Sequence, residues 1–100
     1  MNEKASALHK GLRVFKALRG HTLNGLSNQQ LAQATGLSPS AITRVMAALI
    51  EEGLAERGED GRFRHSIATL QISQAHALEM AKAQDRINEI NRRVSAGAYQ

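Results

Sequence analysis

Residues 26–53 read LSNQQLAQATGLSPSAITRVMAALIEEG, and this stretch decides the fold. It reads as a helix, a tight turn and a second helix. Both helices carry paired start signals. Ser27 is placed to cap the first, and Gln30, three residues on, to reciprocate as a capping box. Leu26 and Leu31 flank that cap as a hydrophobic staple. Ser38 caps the second helix, and Pro39 occupies its first position, where the missing N–H costs nothing. Leu37 and Ile42 form the matching staple. Gly36 ends the first helix at a position that favours positive φ. The connection is therefore about three residues long, which forces a large crossing angle and a helix-turn-helix geometry.

The apolar positions agree. Leu31 and Ala34 are expected to face inward from the first helix. Ile42, Val45, Met46 and Leu49 form one stripe on the second, at i, i+3, i+4 and i+7. Ser40, Ala41, Thr43, Arg44 and Ala47 are left for the outer face. These side chains are small, apart from one guanidinium. Small residues let a helix backbone approach base edges in the DNA major groove. Arg can bridge a guanine or hold a phosphate, and Ala or the Thr methyl can meet a thymine methyl. A helical pair inside another all-α domain is the competing reading, and the coincidence of caps, turn, spacing and surface chemistry weighs against it.

Two short strands are expected next, at residues 54–57 and 62–66, joined by the turn-rich Gly58-Glu59-Asp60-Gly61. A hairpin at this position has the shape of a wing. Arg57, Arg62 and Arg64 ride on it, with His65 close by. Three Arg beside a recognition helix can straddle a phosphate backbone or enter the minor groove. Glu56, Glu59 and Asp60 dilute the patch, so a solvated hairpin is the alternative.

From Ala7 to about Ser73 the chain resembles the N-terminal winged helix-turn-helix domain of the IclR family of bacterial transcription regulators. The pieces that carry the resemblance are SALHKGLRVFKALRG, then LSNQQLAQATGLSPSAITRVMAALIEEGLAER, then the Gly-rich wing. MarR-like regulators share the LAxxxGLSxSxVxRxLxxLxxxG pattern and are the second choice. The resemblance implies that Ser38, Ser40, Ala41, Thr43 and Arg44 read DNA. IclR regulators continue into a ligand-binding domain, whereas these 100 residues end first. The expectation is a stand-alone DNA-binding domain without an effector pocket and with no small-molecule ligand.

Composition sets bounds on this reading. One hundred residues make one domain with an extra helix, and 42% hydrophobic residues suffice for a core. Only Phe15, Phe63 and Tyr99 are aromatic, so that core is aliphatic. A formal charge of +4 favours a polyanionic partner. The charge is uneven, because residues 4–19 hold Lys4, Lys10, Arg13, Lys16 and Arg19 with no acid. The opposite face of that stretch, Leu8, Leu12, Phe15 and Leu18, is expected to serve the core, which argues against membrane binding. No spanning segment or signal peptide is visible. The absence of Cys removes disulfides and thiolate zinc sites and fits a reducing bacterial cytoplasm or nucleoid.

Residues 68–94 read as one long helix, with Gly97 marking its end and Ala98-Tyr99-Gln100 fraying. Leu70, Ala77, Leu78 and Ala81 are placed to pack on the winged part. Met80, Ala83, Ile87, Ile90 and Val94 repeat at spacings of 3, 4, 3 and 4, a short a/d seam flanked by Arg86, Glu89, Arg92 and Arg93. The seam is read as a homodimerisation element, with intramolecular packing as the alternative.

Catalysis has little support. His9, His21, His65 and His76 are scattered without metal-ligand spacing, and there is no Walker loop, no GxSxG and no acid pair placed for general acid/base work. The chain is therefore expected to be mainly α, a winged helix-turn-helix with a three-helix core and a β-hairpin wing over residues 1–67. The long C-terminal helix follows over 68–100. The expected function is that of a non-enzymatic, cofactor-free, sequence-specific double-stranded DNA-binding protein. A small dimeric bacterial or phage transcription regulator on a pseudo-palindromic site fits best, with the choice of repressor or activator open. Two alternatives stay open: an accessory protein for recombination, replication or segregation of a mobile element, and a protein-interaction module.

Overall fold

A computed structural model describes the backbone of residues 3–98 and the side chains of residues 6–98. The side chain of Lys4, counted in the basic stretch, and Tyr99-Gln100, expected to fray, lie outside the described residues. The element order is α1 (Glu3–Ala17), α2 (Asn28–Thr35), α3 (Pro39–Glu51), β1 (Ala55–Arg57), β2 (Phe63–His65) and α4 (Ile67–Ala98). The chain divides into two units, residues 1–70 and 71–100.

The first unit is a mainly helical winged helix-turn-helix, as the sequence predicts. Both start signals are realised. The Ser27 hydroxyl accepts from the Gln30 N–H at 3.1 Å, while the Ser27 N–H donates to Gln30 Oε1 at 2.9 Å. Ser38 accepts from the Ala41 N–H at 3.1 Å, with Pro39 opening α3. Gly36 ends α2 in the left-handed region, φ 75° and ψ 12°, which spares a Cβ penalty.

The core is small and aliphatic apart from one ring. Val14 and Leu18 of the first helical segment, Leu31 of α2, Ile42 and Met46 of α3, Ala55 of β1 and Phe63 of β2 are buried together. Leu26, Leu37, Val45 and Leu49 pack around them, so both staples end in the core. Each such aliphatic side chain contributes roughly 1.5–3 kcal/mol by leaving water.

Inward positions on three helices differ from the expectation. On α2 it is Thr35, not Ala34, that is buried, and Ala34 is exposed. Thr35 can enter the core because its hydroxyl donates to the Leu31 carbonyl at 2.7 Å and accepts from the Leu37 N–H at 3.3 Å. On α1 the buried line runs through Val14 and Leu18, while Leu8 and Leu12 are 60% and 49% exposed. These two leucines line an apolar groove with Ala41, Val45, Leu49 and Leu54. On α3 Ala41 is only 6% exposed, so it belongs to the inner side.

The wing pairs antiparallel in the register Ala55↔His65, Glu56↔Arg64 and Arg57↔Phe63. Each strand is shorter than the expected 54–57 and 62–66. Leu54 is drawn off by its N–H bond to the Leu49 carbonyl, and Ser66 by capping α4. Leu26 adds a one-residue third strand, exchanging both backbone bonds with Phe63 at 2.8 Å. The start of α4 is fastened as well. The Ser66 hydroxyl donates to the Gly53 carbonyl at 2.6 Å, and the Thr69 hydroxyl donates to the Leu54 carbonyl at 2.7 Å.

The second unit is the remainder of α4. The helix has 32 residues and passes through Gly97, where a stop was expected, because Gly97 does not take positive φ. Every residue from Gln71 to Ala98 is exposed, including Ala77, Leu78 and Ala81, which were expected to pack; Leu70 is half-buried. Arg92 and Arg93 both pair with Glu89 along the helix. No helix of the described residues is long and apolar enough to cross a membrane.

Candidate nucleic-acid interface

The candidate interface is built on the exposed side of α3. Ser38, Ser40, Thr43, Arg44 and Ala47 are all exposed there. Ala41 is the correction to the predicted set. It lies within a turn of the cap on the core side of α3, so its methyl does not reach the outer face. Ser38 and Ser40 hydroxyls lie 3.2 Å apart beside the N-terminus of α3, where free backbone N–H groups favour an anion.

Asn28 is an element that sequence reading missed. It opens α2, yet its Nδ2 reaches α3 and donates to the Pro39 carbonyl at 3.1 Å and to Thr43 Oγ1 at 3.0 Å. The Thr43 hydroxyl in turn donates to the Pro39 carbonyl at 3.1 Å. These bonds lock the first turn of α3 to the first turn of α2. The only sequence signal was an amide side chain directly after the cap. The partner lies 15 residues away, and only the crossing of the two helices brings it near.

The wing arginines are arranged unequally. Arg57 is exposed, with its guanidinium 5.6 Å from the Phe63 ring centroid in cation–π contact. Arg62 is turned inward to the protein. Its Nε donates to the Asn24 carbonyl at 2.8 Å, and its Nη2 donates to the Gly25 carbonyl at 3.2 Å and to Gln30 Oε1 at 2.8 Å. Gln30 thus serves the cap of α2 and the wing together. Arg64 is 16% exposed and donates to Asp60 at 3.3 Å. Its guanidinium lies against Gly58 and Gly25, where a Cβ would come within 2.2 and 2.9 Å of it. The backbone grip expected of Arg62 and Arg64 therefore starts from guanidinium groups already held by protein acceptors.

Asp60 organises the turn. Its carboxylate accepts from the Arg62 N–H at 2.9 Å. That bond, with the Arg64 guanidinium beside it, holds the carboxyl below the usual range. His65 is a structural link rather than a free surface group. Its Nε2 donates to the Phe15 carbonyl at 2.8 Å and its ring lies 4.6 Å from the Phe15 ring, tying β2 to α1.

The sequence matches the IclR helix-turn-helix domain over residues 7–59, more than half of the chain and the whole of α2, α3 and β1. This chain belongs to the IclR family. Among solved structures, the IclR domain is similar to an IclR family transcriptional regulator from Brucella abortus, at 28% identity and a TM-score of 0.60. That match covers 70% of this chain and 27% of the Brucella protein. An IclR homolog from Microbacterium sp. strain HM58-2 shares the fold, with a TM-score of 0.62 at 19% identity over 78% of this chain and 32% of that one. The chain thus spans about a third or less of the solved IclR relatives it matches. No curated protein matches it.

Proposed function

We propose that this IclR-type chain is a sequence-specific double-stranded DNA-binding transcription regulator that acts as a homodimer in the bacterial cytoplasm or nucleoid. The observation that carries the reading is the outer face of α3. A helix capped by Ser38 and locked to its neighbour by Asn28 presents Ser40, Thr43, Arg44 and Ala47 together. Arg44 is the base reader, and Thr43 and Ser40 lie beside it. Ser38 and the α3 N-terminus hold a phosphate. Arg57 supplies an exposed wing cation, while Arg62 and Arg64 add positive potential from fixed positions.

Dimerisation is assigned to the C-terminal helix, from about residue 68 onward. Met80, Ala83, Ile87, Ile90 and Val94 are all exposed, with Met80 at 49%, Ile87 at 51%, Ile90 at 47% and Val94 at 65%. An a/d seam left open to water favours a second helix along it. Two-fold symmetry then calls for a pseudo-palindromic site with recognition helices one or two DNA turns apart. Introducing charge into the seam, Ile87→Lys with Ile90→Lys, should give a monomer in sedimentation equilibrium.

The decisive experiment is selection from a randomised duplex library at two salt concentrations. The proposal expects an inverted repeat. Arg44→Ala should then relax specificity by about 1–3 kcal/mol at one base pair. Salt-sensitive retention without a motif would instead mark an accessory DNA-binding role. A library that leaves no DNA bound even at low salt would refute DNA binding altogether.

A further inference from the structure

Resting on the DNA-binding reading of α3, we infer that Thr43 recognises a thymine by its 5-methyl group, through its own methyl and not through its hydroxyl. Thr43 is exposed on the face that carries Arg44 and Ala47. A threonine there offers a base edge two chemistries, a hydroxyl and a methyl. The structure commits the hydroxyl elsewhere. Its proton goes to the Pro39 carbonyl at 3.1 Å, and its oxygen accepts from Asn28 Nδ2 at 3.0 Å. Asn28 also holds Pro39 directly at 3.1 Å, so three bonds join one carbonyl, one amide and one hydroxyl into a closed set. A base that claimed the hydroxyl proton would have to break that set.

The methyl has no polar engagement, and it shares the exposed side with the Ala47 methyl one turn further on. The pair shares the exposed face of α3 with Arg44. In the major groove only thymine among the four bases presents a methyl group. The pair therefore selects a thymine next to the base read by Arg44.

The test uses the full chain and the site recovered from random duplexes. Each thymine is replaced in turn by deoxyuridine, which lacks only the methyl. Affinity should fall about four-fold at the thymine facing Thr43, the worth of one buried methyl-sized group. T43V, which keeps the methyl and discards the hydroxyl, should keep the uracil penalty, whatever overall affinity is lost with the bonds to Asn28 and Pro39. T43S, which keeps the hydroxyl and discards the methyl, should lose about four-fold on thymine and become indifferent to uracil at that position. Matching amide spectra of the variants exclude misfolding as the cause. A uracil penalty that survives in T43S or vanishes in T43V overturns the inference, because the Thr43 methyl is then not the contact. A recovered motif whose thymines all tolerate uracil overturns it as well. Both outcomes leave DNA binding standing, whereas failure to recover any DNA removes the underlying reading and this inference with it.

Discussion

Arg62 is an anchor of the wing, and its replacement gives the sharpest prediction. Arg62→Ala removes three hydrogen bonds, to Asn24 O at 2.8 Å, Gly25 O at 3.2 Å and Gln30 Oε1 at 2.8 Å. A hydrogen bond made by a charged donor nets about 1.5–3 kcal/mol when buried. Here water competes along much of the guanidinium, so about 0.5–1 kcal/mol each is the better figure. The sum is about 2 kcal/mol, which corresponds to a fall in Tm of roughly 10 °C for a unit of this size. Arg62→Lys keeps the charge but not the fork, and should recover only a minor part. Thermal unfolding is best followed through the amide signals of Leu31 and Ile42, because far-ultraviolet dichroism would be dominated by α4. On DNA, removing an anchor that supplies only distant positive potential should lower the dependence of affinity on salt by much less than one, whereas removing a phosphate-binding cation lowers that slope by about one. An Arg62→Ala protein that melts like the parent, or one whose salt slope drops by that full amount while stability holds, would refute the anchoring argument.

Three further outcomes are expected. Gly25→Ala puts a Cβ 2.9 Å from both the Phe63 carbonyl and Arg64 Nη2, at φ +67°, whereas Gly20→Ala, at φ +79°, meets nothing within 4 Å. Both incur about 1–2 kcal/mol of left-handed strain, but only the first must also move backbone, so urea unfolding should rank Gly25→Ala as clearly the worse. Ile42→Ala empties a fully buried site in a small core. It should cost about 2–5 kcal/mol in the same assay and leave the first unit largely unfolded at 37 °C. The lowered pKa of Asp60 implies a wing contribution that is complete above the unfolded value near 4 and lost as pH falls through the lower folded one. The Arg62 amide proton resonance should report that acid titration in the parent protein and stay flat in Asp60→Asn.

The parts of the fold that the sequence disclosed are those governed by neighbours in the chain. Caps, staples, the glycine turn and the hairpin loop each depend on residues within about four positions, and local chemistry specifies them. Periodicity failed where a helix has more than one apolar side. The stripe of Leu8, Leu12, Phe15 and Leu18 left Val14 out, yet the docking of α1 on α3 buries Val14 and leaves Leu8 and Leu12 exposed. Ala34 looked more apolar than Thr35, but a back-bonded hydroxyl is a cheap guest in a core. Ala41 sits at the margin between faces, where a single helical angle decides burial. At the interface, residue types on the outer face of α3 were legible, while the side chains that steady them were not. Asn28 to Thr43 and Arg62 to Gln30 are separated by 15 and 32 residues, and no local pattern announces either.

The single-residue strand at Leu26 bears on solubility. A two-stranded hairpin has two open edges, and an open edge is a template on which another chain can add a strand. Leu26 occupies the edge at Phe63 with both of its backbone bonds. The far edge, at β1, is three residues long and carries Glu56 and Arg57, both exposed. Such an edge is too short and too charged to seed a stack. The molecule can therefore display a sheet at its surface, at the high local concentrations of a crowded cell, without inviting copies of itself to extend it.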